Sequence, residues 1–196
     1  MKNALRCLAS ITLLLLPQLA AAHVEGGAAA SNGGFLTGLM HPMSGLDHVA
    51  AMVAVGLWGA QLGAPALWAL PVAFPLIMAL GGAAGAAGLP LPGVETGIAA
   101  SGLLLGLAVL LNVRVPLWAA LIPVSVFAIF HGHAHGTEMP EYGAPLLYAA
   151  GFVLATGMLH LCGIAIGLLW RWPGGQWLVR ASGGLIASVG GFLLLT

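Results

Sequence analysis

Charge is nearly missing from this sequence: 196 residues carry 5 Lys or Arg and 5 Asp or Glu, or 5% charged residues, where soluble domains carry roughly 25%. That scarcity excludes an ordinary soluble domain and a charged disordered polymer. It also excludes nucleic acid as a partner, because phosphate neutralisation needs clustered basic residues. Two motifs are absent as well. Without G-x-x-x-x-G-K-[ST] there is no phosphate-binding loop for ATP, and without H-E-x-x-H there is no zinc-protease signature. What remains is 60% hydrophobic, with 30 glycines and a mean hydropathy of +1.05. A lipid bilayer is the solvent such a chain needs, and each crossing takes about 20 residues.

Lys2 and Arg6 precede a short apolar run, Leu8 to Leu16, followed by Pro17 and then Ala20, Ala21 and Ala22. A basic start, a short apolar stretch and small residues form the pattern of a cleaved secretory signal. Residues 1–22 are therefore expected to be removed, leaving His23 as the mature amino terminus; the alternative is an uncleaved seventh helix. Cys7 leaves with the signal, so Cys162 is the one remaining thiol and an internal disulfide is excluded.

Residues 23–196 divide into six apolar segments, roughly Gly34 to Ala60, Pro65 to Gly88, Val94 to Asn112, Pro116 to Phe130, Pro145 to Trp170 and Gln176 to Leu195. The expected fold is an all-α membrane protein, six transmembrane helices in one compact bundle, with a kink in the second helix at Pro71 or Pro75. Arg114, Arg171 and Arg180, the basic residues left in the mature chain, fall in loops on one side if His23 lies outside. The positive-inside rule makes that side cytoplasmic, so the chain reads as a multi-pass protein of a bacterial inner membrane with its mature amino terminus outside. Trp170, Trp172 and Trp177 suit the interface at the last cytoplasmic loop. Small residues at packing intervals, such as Gly81 with Gly85, Ala84 with Gly88, Gly102 with Gly106 and Gly163 with Gly167, predict close helix contacts. A homo-oligomer is compatible with this composition.

The chemistry lies in polar residues that hydrocarbon should exclude. The first segment holds His41-Pro42-Met43-Ser44-Gly45-Leu46-Asp47-His48. Counted from Gly34 along a helix, Asp47 and His48 lie about 20 Å deep, where an ionisable side chain marks a function by default. On a straight helix His41 and His48 stand ~10.5 Å apart, too far to share a metal with ligand bonds near 2 Å. Either the backbone bends at Pro42 or Gly45, or the two histidines serve successive stations.

The second cluster, Phe130-His131-Gly132-His133-Ala134-His135-Gly136-Thr137-Glu138, follows the outer end of the fourth segment. In extended backbone its alternating histidines share a side, whereas in a helix His131 and His135 share a face, with Glu138 one turn beyond. Imidazole with carboxylate suits divalent nickel, cobalt or zinc, whereas magnesium and calcium prefer oxygen. His133 is a less certain member of the set. His160 reads as a deeper station, and His23 as a chelating amino terminus if the signal is cleaved. Glu95 reads as an interfacial residue comfortable at a helix start. Met40, Met43, Met52 and Met158 keep copper(I) as a second metal.

The run from His41 through Asp47, His48, Met52 and Gly56 to Trp58, together with Phe130 through His135 to Glu138, resembles the HupE/UreJ family. The resemblance spans nearly the whole chain, including Gly151 through Ala155 and Thr156 to His160. It implies a permease for nickel, sometimes cobalt, serving hydrogenase or urease maturation, with His41, Asp47, His48, His131, His135 and Glu138 as metal-handling residues. The metal is then cargo: no permanently bound cofactor and no enzymatic activity are expected. The competing readings are a metal sensor or storage protein, a copper-handling protein, and a membrane haem or metal redox enzyme in which His48 and His160 would ligate haem.

Overall fold

A computed structural model of the chain describes residues 34–138 and 145–196. The expected signal peptide, residues 1–22, and His23 lie outside the described residues. Within them every regular element is helical: α1 (Phe35–Ser44), α2 (Leu46–Leu62), α3 (Ala66–Ala86), α4 (Val94–Leu110), α5 (Leu117–Thr137), α6 (Pro145–Leu168) with a 3-10 turn at Leu169–Arg171, and α7 (Gly175–Leu193).

The first apolar segment is not one helix. It breaks at Gly45, whose backbone is extended (φ −102°, ψ 123°), and α1 meets α2 at 86°. Pro42 contributes by lacking the N–H that a continuing helix would use. By contrast α3 runs unbroken through Pro71 and Pro75, as α5 does through Pro123. Three stretches are long and apolar enough to cross a membrane: α3, α5, and Leu146–Arg171 in α6 with its turn. The bent α1–α2 pair makes a fourth if counted as one span, while α4, at 17 residues, is shorter than these.

Glycine lets the helices pair closely. A methyl on Gly132 would enter the carbonyl of Met78, and one on Gly81 that of Ile129, so α3 and α5 lie backbone to backbone and parallel. Gly56 at the His160 carbonyl and Gly163 at the Val53 carbonyl join α2 to α6, also parallel. Gly106 against Ala187, with Gly190 against Leu103, joins α4 to α7 antiparallel. Gly88 departs from the expected pattern: it sits in the turn after α3 with φ +72° and open space around it.

Polarity is inverted relative to a soluble protein. The surface carries Trp68, Leu80, Trp118 and Leu185, each more than half exposed, while His131, Ser101, Thr156 and His160 are buried. The two ends of the bundle also differ. α2 carries Asp47 in its first turn and, in its last, Gln61, whose carbonyl accepts from the Arg114 guanidinium. α4 carries Glu95 in its first turn and ends at Leu110, whose carbonyl accepts from Arg180 Nε at 2.9 Å. Cations thus sit on helix carboxyl ends, where the backbone dipole favours them. Trp170 and Trp177 lie beside these arginines, ring centroids 5.8 and 5.9 Å away. Between the histidines and this arginine end, Leu57, Leu70, Leu105, Val109, Val124 and Val179 form a fully buried apolar layer.

Candidate metal centre

The break at Gly45 answers the spacing problem posed by His41 and His48. His41, in the last turn of α1, directs Nε2 to within 3.0 Å of His135 Nδ1 and 3.3 Å of Glu138 Oε2. His48, in the first turn of α2, lies against the same imidazole, with ring centroids 4.4 Å apart. His135 therefore touches two histidines that one straight helix would have kept apart.

His41, His135 and Glu138 can each offer one ligand atom, and these atoms lie within 4.8 Å of one another. Two ligands at right angles on one ion, each ~2.1 Å from it, stand about 3 Å apart. The separations of 3.0 and 3.3 Å from His41 Nε2 are those of neighbouring ligands on one ion.

Asp47 orients rather than completes this set. Its Oδ1 accepts from the backbone N–H and from Nδ1 of His48, both at 2.8 Å. With its proton held on Nδ1, His48 keeps the Nε2 lone pair, and that atom is buried with no hydrogen-bond partner. A carboxylate holding the far nitrogen of a histidine is the usual support of a metal ligand. Gly45 makes room for it, because a Cβ there would stand 2.5 Å from Asp47 Oδ1 and 2.9 Å from His48 Nδ1.

His131 is arranged in the same manner from another direction. Ser101 Oγ donates to the Ile98 carbonyl at 2.6 Å, so its oxygen accepts from His131 Nε2 at 2.9 Å. The lone pair is then on Nδ1, buried and unpartnered, in a ring 4.8 Å from that of His48. His160 lies deeper. Phe74 comes between, its ring 5.6 Å from His131 and 5.5 Å from His160.

The structure leaves His133 out of this group. It faces away from the cavity, with Nε2 2.7 Å from the Leu89 carbonyl, and ties α5 to the segment after α3. The methionines stay out as well: Met40 and Met158 are about half exposed, Met52 is packed in the core, and none lines the cavity. Its ligand set is nitrogen and oxygen alone, which suits a borderline divalent ion better than copper(I).

His41, Asp47, His48, Glu95, His135 and Glu138 line a cavity of about 230 Å³. Glu95 is thereby more than the interfacial residue its position suggested. Among the described residues all three acids face this space and none of the arginines does, so the cavity attracts cations. Sequence reasoning also missed Ser101, Phe74 and the wall formed by Tyr148 and Phe152, whose rings lie 5.8 Å from His41 and 4.5 Å from His135. Only a hydroxyl or a lone acid within an apolar run could have flagged Ser101 and Glu95; the aromatic residues carry no such mark.

The family described as HupE / UreJ protein matches residues 11–193. Protein HupE of Rhizobium leguminosarum bv. viciae is 46% identical over 186 residues, covering 95% of each chain. No solved structure matches the chain.

Proposed function

The chain belongs to the HupE/UreJ family, accessory permease-like membrane proteins rather than enzymes, and on that premise we propose that it is an ATP-independent permease for divalent nickel, with cobalt as a second substrate. The metal would cross a bacterial inner membrane to supply hydrogenase or urease maturation. The observation that carries this reading is the triad of His41, His135 and Glu138, which faces an acidic cavity beside a histidine held by Asp47.

The proposed sequence of events follows the geometry. Carboxylates of Asp47, Glu95 and Glu138 concentrate the hydrated cation, and it trades water for His41, His135 and Glu138. His48 and His131 offer buried lone pairs next to His135, and His160 completes the set further inward. His133 stands aside as a structural contact, and His23 belongs to the entry only if the signal is cleaved. Inward movement would use the membrane potential, worth ~2.3 kcal/mol per elementary charge per 100 mV.

We further propose six spans after a cleaved signal: the bent α1–α2 unit, α3, α4, α5, α6 and α7, with the mature amino terminus and the cavity outside. Alternating spans make the first parallel to the fifth, the second parallel to the fourth and the third antiparallel to the sixth. The directions of the glycine-joined pairs agree with this order, and the arginines at the end opposite the cavity agree with a cytoplasmic location there.

The test is initial uptake of nickel, cobalt, zinc and copper(I) into proteoliposomes, wild type against Asp47→Asn at equal density. Saturable nickel or cobalt entry is expected, falling about 10- to 100-fold in the variant as His48 loses its orienting carboxylate. Tight binding without entry of any metal would favour a sensor or store instead.

A further inference from the structure

The stripe of α6 that faces the path carries Tyr148, Phe152, Thr156 and His160 at intervals of four, and each is buried. Its first two rings belong to the surroundings of the triad. The polar atoms of its last two residues are unsatisfied: Thr156 Oγ1 and both ring nitrogens of His160 are buried without a hydrogen bond. Thr156 is 0% and His160 1% exposed.

This is costly if it serves packing alone. A buried polar group left unpaired costs about 1–3 kcal/mol, and a threonine in an apolar helix ordinarily bonds to the carbonyl one turn back. Here neither residue does so. The two groups are one turn apart on one helix, so they share a face of it. His160 is about 12 Å along the helix axis from Phe152, whose ring touches His135. Phe74 closes the space between His131 and His160.

Resting on the reading of the chain as a metal permease, we propose that Thr156 and His160 form a second, inner metal station, distinct from the triad and reached past Phe74. It takes a partly hydrated divalent transition-metal ion, with one imidazole nitrogen and one hydroxyl oxygen from the protein and water at the other positions. Two protein ligands against three make it the weaker site. An ion that dwells there briefly can leave inward, whereas a saturated ligand shell would hold it.

Cobalt(II) is the probe, applied to the full chain purified in detergent and followed by equilibrium dialysis and by its visible absorption. With the triad disabled by His41→Ala and His135→Ala, a weak cobalt site is expected to remain, and adding His160→Leu weakens it by about tenfold or more. In the otherwise native chain, His160→Leu and His160→Gln should leave tight cobalt binding unchanged while slowing nickel uptake into proteoliposomes about tenfold; Thr156→Val slows it several-fold. Melting of the metal-free protein separates this from a packing role: His160→Leu removes two unpaired groups and should not lower Tm.

The proposal is overturned if the triad-disabled protein binds no cobalt, if its residual site survives loss of His160, or if the His160 variants transport as the native chain does. The two readings fail separately. Nickel uptake by the native chain with no His160-dependent cobalt site removes the inner station and leaves the permease; a His160-dependent site in a chain that transports nothing does the reverse.

Discussion

His133 and His135 are two residues apart on α5, of the same type and both buried, yet the helix turns one to a backbone carbonyl and the other to His41 and His48. That rotation, about 200° for two residues, separates a tether from a ligand. Replacing His133 by Gln should lower thermal stability by about 1 kcal/mol, the worth of one hydrogen bond, with nickel affinity unchanged. Replacing His135 by Gln should weaken nickel binding about tenfold or more at little cost in stability. Calorimetric binding and melting curves on the pair decide the matter, and a His133 variant that loses nickel affinity would return that residue to the site. Asp47 makes a related point: its Oδ1 is engaged by His48, so the carboxylate that looks most like a ligand in the sequence holds the far nitrogen of a candidate ligand.

At the scale of elements, the decisive feature is the break between α1 and α2. Gly45 adopts an extended conformation open to most residues, so its need for glycine is spatial: a side chain would strike the Asp47–His48 pair. Gly45→Ala should therefore displace that pair and lower nickel affinity about tenfold, while far-ultraviolet circular dichroism reports unchanged helix content. An Ala variant that binds as the native chain does would show that the pair can shift without losing its aim.

Much of this architecture was legible beforehand. The Pro, Gly and charge punctuation placed α3, α4, α6 and α7 closely, whereas α5 runs past its expected end near Phe130 to Thr137 and takes the histidine cluster into the helix, one of the two backbone geometries open to it. The break was visible only as an unresolved conflict, two histidines too far apart on a straight helix to share an ion. Glu95 and Ser101 were not legible as site residues, because their roles depend on which helices meet. Pairing of α4 with α5 and α2 is a long-range fact that no local periodicity encodes. Phe74 was equally silent, since an aromatic in an apolar helix reads as packing until its neighbours are known.

The whole molecule has a direction. Acids gather at one end of the helices and arginines at the other, so a cation is drawn to the cavity and away from the opposite loops. Metal and protons compete there for imidazole lone pairs. A ligand must be neutral to bind metal, so uptake should decline on acidification as protons take those lone pairs. Initial nickel uptake across a pH series at fixed membrane potential checks this; rates that rise on acidification would count against histidine ligation.

The apolar layer of Leu57, Leu70, Leu105, Val109, Val124 and Val179 beneath the histidines is, in electrical terms, an insulator. A bare ion meeting it has lost its water and gained no ligand, a situation protein interiors penalise heavily. On the permease reading, this door stands in a membrane that also stores the cell's energy. The layer lets the histidines stand filled or empty without that store running down through the same opening.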